Sequence, residues 1–257
     1  MPLYTCFDMI RDCAAGRPEG WRFFVAEYAP VIRALVEHYF PQAAAEWAAR
    51  APEILRPFDF AFFRACPPCS ERDFILKLRQ HLLASVEADE NPAPAAWDSF
   101  AASLAGLTFT EKQVVWLEVM GYGTPDSAAM MRMHPEGVER IRRKAAQLLR
   151  EAGCIAVFPA LRRAVAHLPA EGCCAPKDFF DWLDGRITWY RREDIERHAS
   201  SCWSCVDLFC RVREALRLAQ RRSPLPQREV NALLEALRLD TPRKPFWLRF
   251  WRQRIGA

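Results

Sequence analysis

Three residues in the C-terminal third, His198, Cys202 and Cys205, carry side chains that bind metal ions. They are spaced i, i+4 and i+7, and a helix that advances about 100° per residue places all three on one face. Imidazole nitrogen and thiolate sulfur are preferred donors for Zn²⁺, which takes four ligands in a closed structural site. The spacing therefore predicts a zinc site on one helix. The alternative is a helix with buried cysteines and one hydrogen-bonded core histidine.

A fourth ligand must come from outside that helix. Two adjacent cysteines, Cys173 and Cys174, precede the segment Trp182-Leu183-Asp184-Gly185. A cysteine, an aromatic-Leu-Asp-Gly turn and then His-x-x-x-Cys-x-x-Cys together resemble the zinc-binding fold of anti-sigma factors. The resemblance implies four Zn²⁺ ligands, the first of which is Cys173 or, as the alternative, its neighbour Cys174. Carried onto this sequence, the four are Cys173, His198, Cys202 and Cys205.

A second cysteine pair, Cys66 and Cys69, encloses two prolines. Cys-x-x-Cys can supply half of a metal site or form a redox pair, but the βαβ pattern expected around a thioredoxin-like motif is absent. A loop cysteine pair in front of a helix is the alternative, and the one we favour. The residues that could complete a second metal site are Cys6, Cys13, His38 and His81.

The composition of the chain limits the kind of fold that can position these residues. The chain has 257 residues, 51% of them hydrophobic, which suits two or three small domains with real cores. Its 19 prolines against 10 glycines favour short helices punctuated by proline, and we expect an all-α fold. Ten cysteines without a secretory signal or an apolar run of membrane-spanning length predict reduced thiols in a cytoplasmic protein. The net charge of +4 limits nucleic-acid contact to local basic clusters.

Residues 1–90 read as a helical domain. Apolar residues at helical spacing predict one helix over Trp21–Phe40 and another that starts near Ser70. The stretch FVAEYAPVIRALVEHYF resembles the first long helix of the polymerase-binding region (region 2) of small bacterial sigma factors. That resemblance implies contact with core RNA polymerase. The acidic run that the family carries before its promoter-reading helix is not evident here.

After a proline-rich linker at 91–96, residues 97–153 predict a helix-turn-helix domain. We expect a helix over Trp97–Ala105 and a second one N-capped by Thr110 or begun after Thr108. A short helix from Thr124 to near Met133 follows, and His134-Pro135-Glu136 starts the longest helix. The alternative is a small helical bundle with a solvated charged face. The basic residues on the exposed face of the longest helix are Arg140, Arg142, Arg143 and Lys144.

The same region resembles the promoter −35-binding region (region 4) of sigma factors. Gly121-Tyr122-Gly123 stands where the family has Gly-Tyr-Ser, and Ser127-Ala128-Ala129 replaces its Glu-Ile-Ala. In a major groove, the N-terminal half of the last helix faces base edges. The expected base-reading residues are Glu136, Glu139, Arg140 and Arg143, and the expected phosphate contacts are Arg142, Lys144 and Lys112.

The C-terminal third contains a predicted bridging helix over 154–172 and a zinc module over 173–220. Residues 221–257 follow, with an amphipathic helix over Val230–Leu239 and the basic-aromatic tail RKPFWLRFWRQRIGA. Such a tail could lie on a membrane, stack on nucleic acid or dock on the protein itself, and we expect docking.

Together these resemblances imply an extracytoplasmic-function-type sigma factor fused in cis to an anti-sigma-like zinc domain. The expected partners are core RNA polymerase, promoter DNA and a protein of the sigma or anti-sigma type, and no membrane. No nucleophile–base pair or phosphate-cradling glycine loop is visible, so no enzyme activity is expected. The alternative is a degenerate sigma-like scaffold, or a zinc-containing regulator, that binds a partner or DNA without initiating transcription.

Overall fold

The structure is a computed structural model and describes residues 3–84, 94–154, 173–221 and 223–237. Every regular element in these ranges is an α-helix, which confirms the predicted all-α class for this part of the chain. None of the helices described is both long enough and apolar enough to cross a membrane. The bridging helix expected after Cys154 and the basic-aromatic tail lie outside the described residues.

The helices predicted over Trp21–Phe40, Trp97–Ala105 and Thr124–Met133 are present, with ends that differ by a few residues. The first seven are α1 (Cys6–Ala14), α2 (Pro18–Tyr39), α3 (Pro41–Ala45), α4 (Trp47–Leu55), α5 (Phe60–Ala65), α6 (Glu71–Ala84) and α7 (Pro94–Ser103). The others are α8 (Phe109–Val119), α9 (Thr124–Met131), α10 (Pro135–Glu151), α11 (Pro176–Leu183), α12 (Trp189–Ala199), α13 (Trp203–Arg221) and α14 (Gln227–Leu237).

The described residues group into two compact units. The first draws on the ranges Met1–Pro30, Glu46–Cys69 and Ser223–Ala257, and the second on Val31–Ala45 and Ser70–Arg222. Residues 1–90, expected to form one domain, are therefore divided between the two units. The expected helix-turn-helix and zinc modules both fall in the second unit.

The first unit has an aromatic core. The Trp21 and Phe24 rings lie 5.0 and 5.1 Å from the Phe63 ring, and all three side chains are buried. Gly20 brings α2 close to α1, because a Cβ added at Gly20 would lie 2.6 Å from the backbone nitrogen of Cys13. This close approach explains a glycine in the first turn of a long helix, where glycine otherwise weakens helix formation.

The second unit is built around α13, which packs against α6, α8, α9, α11 and α12. A helix that covers a core on one side only shows a single apolar stripe, whereas a helix in the middle of a core is buried on most sides. Every residue from Cys205 to Val212 of α13 is buried, including the charged Asp207 and Arg211. The long helix of the predicted zinc module is therefore the central helix of this unit.

The N-terminus of α8 has a capping box that begins at Thr108, one of the two expected positions, and not at Thr110. Thr108 is the N-cap, its Oγ1 accepts from the Glu111 amide at 3.2 Å, and the Glu111 carboxylate accepts from the Thr108 amide at 2.9 Å. Thr110 instead lies exposed within the helix. Gln113, three residues after Thr110, is buried and accepts a hydrogen bond from Arg213. The side chain of Gln113 is therefore used inside the protein and not at the helix cap.

Replacing Thr108 with alanine is expected to lower the free energy of unfolding by about 1 kcal/mol, the usual cost of losing a threonine cap. Urea denaturation of Thr108→Ala measures the loss. Thr110→Ala is the matched control and should change stability by only a few tenths of a kcal/mol, roughly the size of a surface substitution. Equal losses in the two variants would contradict the assignment of the cap.

Candidate functional site

Four metal-binding side chains converge at one point of the second unit. The ligand atoms of this group, hereafter the Cys3His cluster, all lie within 4.8 Å of one another, and the Cys173 and Cys202 sulfurs are 3.9 Å apart. The cluster is able to hold a metal ion. Its members are Cys173, His198, Cys202 and Cys205, the four residues that the sequence predicted.

The prediction that His198, Cys202 and Cys205 share one helix face is wrong. Helix α12 ends at Ala199 and α13 begins at Trp203, so His198 lies in the last turn of one helix and Cys205 in the first turn of the next. On one continuous helix, His198 and Cys205 would be about 10 Å apart along the axis, too far to share an ion. The break between the helices is what brings their ligand atoms together.

Serine side chains stabilise this break. Ser200 Oγ donates to the Glu196 carbonyl at 2.6 Å, and Ser201 Oγ donates to the His198 carbonyl at 3.0 Å. Serine hydroxyls that bond to nearby backbone carbonyls compete with the helical hydrogen-bond ladder. The segment Ser200-Ser201 between two ligands was therefore a sequence signal for the break.

Cys173, and not its neighbour Cys174, belongs to the cluster. Cys173 precedes α11 and is exposed, whereas Cys174 is half-buried next to the Cys205 thiol. Cys174 thus lies beside the cluster and is not one of its four members.

The Cys205 sulfur is fully buried next to other sulfurs. Burial raises the pKa of the Cys205 thiol to about 12, and the neighbouring Cys174 and Cys202 thiols also disfavour a thiolate there. A thiol in such surroundings becomes a thiolate near neutral pH only when a cation is bound beside it. Without a bound cation the Cys205 sulfur is therefore a thiol and not a reactive thiolate.

Lys112 of α8 joins the cluster to the helices before it. Its side chain is buried, with 3% exposed, and its ammonium donates to the carbonyls of Ala105 and Ser200 and lies 5.5 Å from the Trp203 ring. Burial lowers the pKa of this amine. The expectation that Lys112 contacts phosphates is wrong, because its ammonium is used inside the protein to hold the turn between His198 and Cys202.

The Asp184-Gly185 turn also has a structural role. Gly185 has φ +71°, the left-handed conformation that favours glycine after a helix end. The Asp184 carboxylate pairs with Arg186 at 2.8 Å and with Arg72 of α6 at 2.5 Å. This turn therefore fastens α11, which follows Cys173, to α6.

Among the described residues, no metal-binding group of three or more side chains includes Cys66 or Cys69. In the ranges described, the Cys3His cluster is the one group of three or more His, Cys, Asp or Glu side chains with metal-binding distances. Cys66 is buried at the C-terminal cap of α5, and Cys69 is half-buried. His38 is used elsewhere, since its ring stacks on Tyr122 at 4.0 Å and its Nε2 donates to the Met120 carbonyl.

Helices α8, α9 and α10 follow one another through short turns. Gly121, with φ +94°, lies in the turn between α8 and α9, and Arg132, with φ +53°, caps α9 before α10 begins at Pro135. Helix α10 packs on both α8 and α9. Its buried stripe is Val138, Ile141, Ala145 and Leu149.

The opposite face of α10 is polar and open. Arg140 and Arg143 are exposed, and neither pairs with an acidic group among the described residues. Glu136 is also exposed, at the N-terminal end of the helix. Two guanidinium groups one turn apart, with no partner in the part of the protein that is described, are available to a ligand of opposite charge.

Three other residues of the predicted DNA-contacting set have partners within the protein. Glu139 accepts from Thr124 Oγ1 at 2.7 Å, and Lys144 pairs with Glu111 at 2.7 Å while half of its side chain stays exposed. Arg142 is different, with only 12% of its side chain exposed. It donates to the Tyr122 carbonyl at 2.6 Å and to Ser127 Oγ at 3.0 Å. The expected role of Arg142 in phosphate contact is therefore wrong, because it fastens α10 to the turn before α9.

A buried charged network, which the sequence did not suggest, fixes α13 against its neighbours. The Glu214 carboxylate is fully buried and accepts from Arg79 of α6 and from the hydroxyls of Tyr39 and Tyr122. Burial alone would raise the pKa of Glu214, but the Arg79 charge and the two hydroxyl donors outweigh it and hold the pKa below its ordinary value.

A second buried pair lies earlier on α13. Asp207 pairs with Arg211 at 2.9 Å and accepts from Trp116 Nε1 of α8 at 2.9 Å. Buried ions are stable only when they are paired and hydrogen-bonded, so both networks require α13, α6 and α8 to be correctly placed. Asp207 and Arg211 are four residues apart, a spacing that was visible in the sequence and that would place them on one helix face.

Neither a protein-family model, nor a curated protein, nor a solved structure matches this chain. The likeness to sigma and anti-sigma factors therefore rests on the sequence motifs alone.

Proposed function

We propose that this chain is a zinc-containing, DNA-binding transcription regulator of the sigma-factor type, with α10 as its DNA-contacting helix. The observation that carries the proposal is the pair Arg140 and Arg143, exposed and without an acidic partner among the described residues, on a helix that two shorter helices support. Helices in this order are typical of modules that place their last helix in a major groove.

Zinc is the metal that the Cys3His cluster fits best. A tetrahedral site with zinc–sulfur bonds of about 2.3 Å separates its sulfurs by about 3.8 Å. The Cys173–Cys202 separation of 3.9 Å agrees with this value. Three thiolates and one imidazole fill the four positions of a closed site, which leaves no open position for a reacting water. The proposal therefore gives the metal a structural role and assigns no catalytic step to the chain.

The proposed mechanism uses the two exposed arginines to contact DNA. A guanidinium forms paired hydrogen bonds with O6 and N7 of guanine or with phosphate oxygens. Glu136, at the start of the helix, is suited to accept from a cytosine amino group. Arg142 and Lys112 hold α10 and α8 in position from behind, so the contacting face is rigid before DNA arrives.

In this proposal the zinc module supports the DNA-binding helices from within. Helix α13 begins at the cluster and packs on α8 and α9. The zinc module would then act on the DNA-binding helices of the same chain, because α13 connects the cluster to α8 and α9. A change at the cluster would alter the position of α13 and of the two helices packed on it. Core RNA polymerase is the proposed protein partner, as the likeness of residues 24–40 to sigma factors implies.

A second candidate function is a scaffold that binds a partner protein without initiating transcription. The observation that favours it is the buried Glu214–Arg79 ion pair, which joins α13 to α6. Separating the two helices would leave buried charges unpaired, so the unit is suited to remain a rigid scaffold. The missing acidic run in the N-terminal segment favours it as well. Co-purification with core polymerase combined with DNA binding supports the leading proposal, whereas a stable complex with another protein and no DNA binding supports the scaffold.

Replacing both exposed arginines, as Arg140→Ala with Arg143→Ala, is expected to weaken DNA binding at least tenfold, because each arginine that contacts a base contributes about 1–3 kcal/mol. Fluorescence anisotropy with a duplex enriched from a random-sequence pool measures the affinity at several salt concentrations. The slope of log affinity against log salt should also become shallower.

The matched control is Arg150→Ala, which removes an exposed charge from the C-terminal end of the same helix. It should leave sequence preference unchanged. Unaltered affinity and salt dependence in the double variant would rule out α10 as the DNA-contacting helix.

A further inference from the structure

A cleft of about 230 Å³ lies between the C-terminal half of α13 and the ends of α9 and α11, all within the second unit. It is separate from the Cys3His cluster and from the exposed face of α10. Its apolar wall includes Met130, Leu183 and Leu216. Four arginines also line it, and the cleft is hereafter the arginine cleft: Arg132, Arg213, Arg217 and Arg221.

The positive charge of this arginine cleft is largely unbalanced. Arg217 pairs with Asp126 and also donates to its backbone carbonyl. The other three arginines pair with no carboxylate among the residues that the structure describes. Like charges that face one cleft repel one another, so the arrangement is costly without an anion.

Arg213 is the most firmly placed of these arginines. Its Nε donates to Gln113 Oε1 at 2.8 Å, its Nη1 donates to the Met130 carbonyl at 2.7 Å, and its guanidinium lies 4.8 Å from the Phe209 ring centroid. All of these partners are neutral. Burial lowers the pKa of Arg213 to about 10, and the nearby charge of Arg132 acts in the same direction. An anion in the cleft would oppose both effects.

Arg132 occupies a backbone position where glycine is the usual residue. It caps α9 in the left-handed conformation, with φ +53°. A side chain at such a helix end costs strain that glycine avoids. The strained residue here carries a charge into the cleft, which is a reason for an arginine at a place where the backbone alone would favour glycine.

We propose that the arginine cleft binds a small molecule that carries two or more phosphate groups. Arginine forks match phosphate oxygens in pairs, and three unbalanced guanidinium groups suit a multiply charged anion better than a single carboxylate. The volume is below the usual range of about 300–1,000 Å³ for drug-sized ligands, which favours a compact anion over a peptide. This site does not depend on the DNA-binding role of α10.

Isothermal titration of the full-length protein with inorganic pyrophosphate tests the proposal. We expect saturable binding at one site per chain, and a rise in melting temperature on binding because a ligand of the folded state stabilises it. The test variant is Arg132→Gly with Arg221→Gln. Glycine relieves the backbone strain at position 132, and Arg221 is exposed, so this variant should fold while its affinity for pyrophosphate falls at least tenfold.

Two controls distinguish binding in the arginine cleft from nonspecific attraction of anions to a basic protein. Arg150→Gln removes an exposed charge outside the cleft and should bind pyrophosphate like the unaltered protein. Citrate, a polyanion of carboxylates, should bind more weakly than pyrophosphate. Absent or non-saturable binding, equal affinity in the cleft variant, or tighter binding of citrate would each overturn the proposal. The proposal would also be overturned if the unaltered protein did not bind pyrophosphate and the cleft variant lost DNA binding. That result would assign the arginine cleft to contact with the DNA backbone.

Discussion

Cys173→Ser is expected to lose its zinc and to melt far below the unaltered protein, whereas Cys174→Ser should keep both metal and stability. The two cysteines are adjacent, but only Cys173 places its sulfur among the four ligand atoms. Metal binding supplies roughly 10–16 kcal/mol in zinc-finger peptides. That amount is comparable to the whole stability of a small domain, about 5–15 kcal/mol.

The effect should spread beyond the cluster. Loss of the metal frees the N-terminal end of α13, and α13 is the central helix of the second unit. Elemental analysis should find one zinc per chain in the unaltered protein and in Cys174→Ser. Circular dichroism during heating gives the melting temperatures. Metal retention by Cys173→Ser with loss from Cys174→Ser would transfer the ligand role to Cys174.

Arg79→Met is expected to lower the free energy of unfolding by about 3–5 kcal/mol, because it leaves the buried Glu214 carboxylate without its cation. Arg79 and Glu214 expose 2% and 0% of their side chains, so water cannot replace the missing partner. The double variant Arg79→Met with Glu214→Leu removes both charges and should recover much of the loss. Urea denaturation of the single and double variants gives the coupling energy.

The pH dependence of stability provides an independent readout of the same pair. In the unaltered protein the pKa of Glu214 is held below the ordinary value of 4.5, so its contribution is present above that value and is lost as pH falls through the folded-state pKa. In Arg79→Met, burial should raise the pKa of Glu214 instead. Stability of that variant should then decline as pH rises above 4.5, the opposite slope. Parallel pH profiles in the two proteins would contradict the assigned pairing.

Local signals in the sequence predicted the helical class and the metal ligands. Helical periodicity and the proline positions indicated most helices, and the spacing of His198, Cys202 and Cys205, with Cys173 from the family resemblance, gave the cluster. The prediction that these ligands lie on one helix was wrong, because the same spacing also fits two helices separated by a turn. The Ser200-Ser201 pair marked that turn, and its hydroxyls bond to helix carbonyls.

Charged residues were harder to place, because a charge in a helix pattern is usually solvated. The sequence pattern predicts phosphate contacts for Lys112 and Arg142, but both side chains bond inside the protein. The pairing of Arg79 with Glu214 joins residues 135 positions apart, which no local pattern can show. Burial of these charges is a property of the tertiary fold, because it follows from the position of α13 in the middle of the unit.

Transcription by core RNA polymerase, with and without this protein, tests whether the protein acts as a sigma-type factor. The template is a pool of genomic fragments, and sequencing of the transcripts locates their start sites. We expect new, protein-dependent start sites that share an upstream sequence and that disappear in the variant Arg140→Ala with Arg143→Ala. An unchanged set of transcripts, from protein that carries one zinc and is shown to be folded, would contradict a sigma-type role.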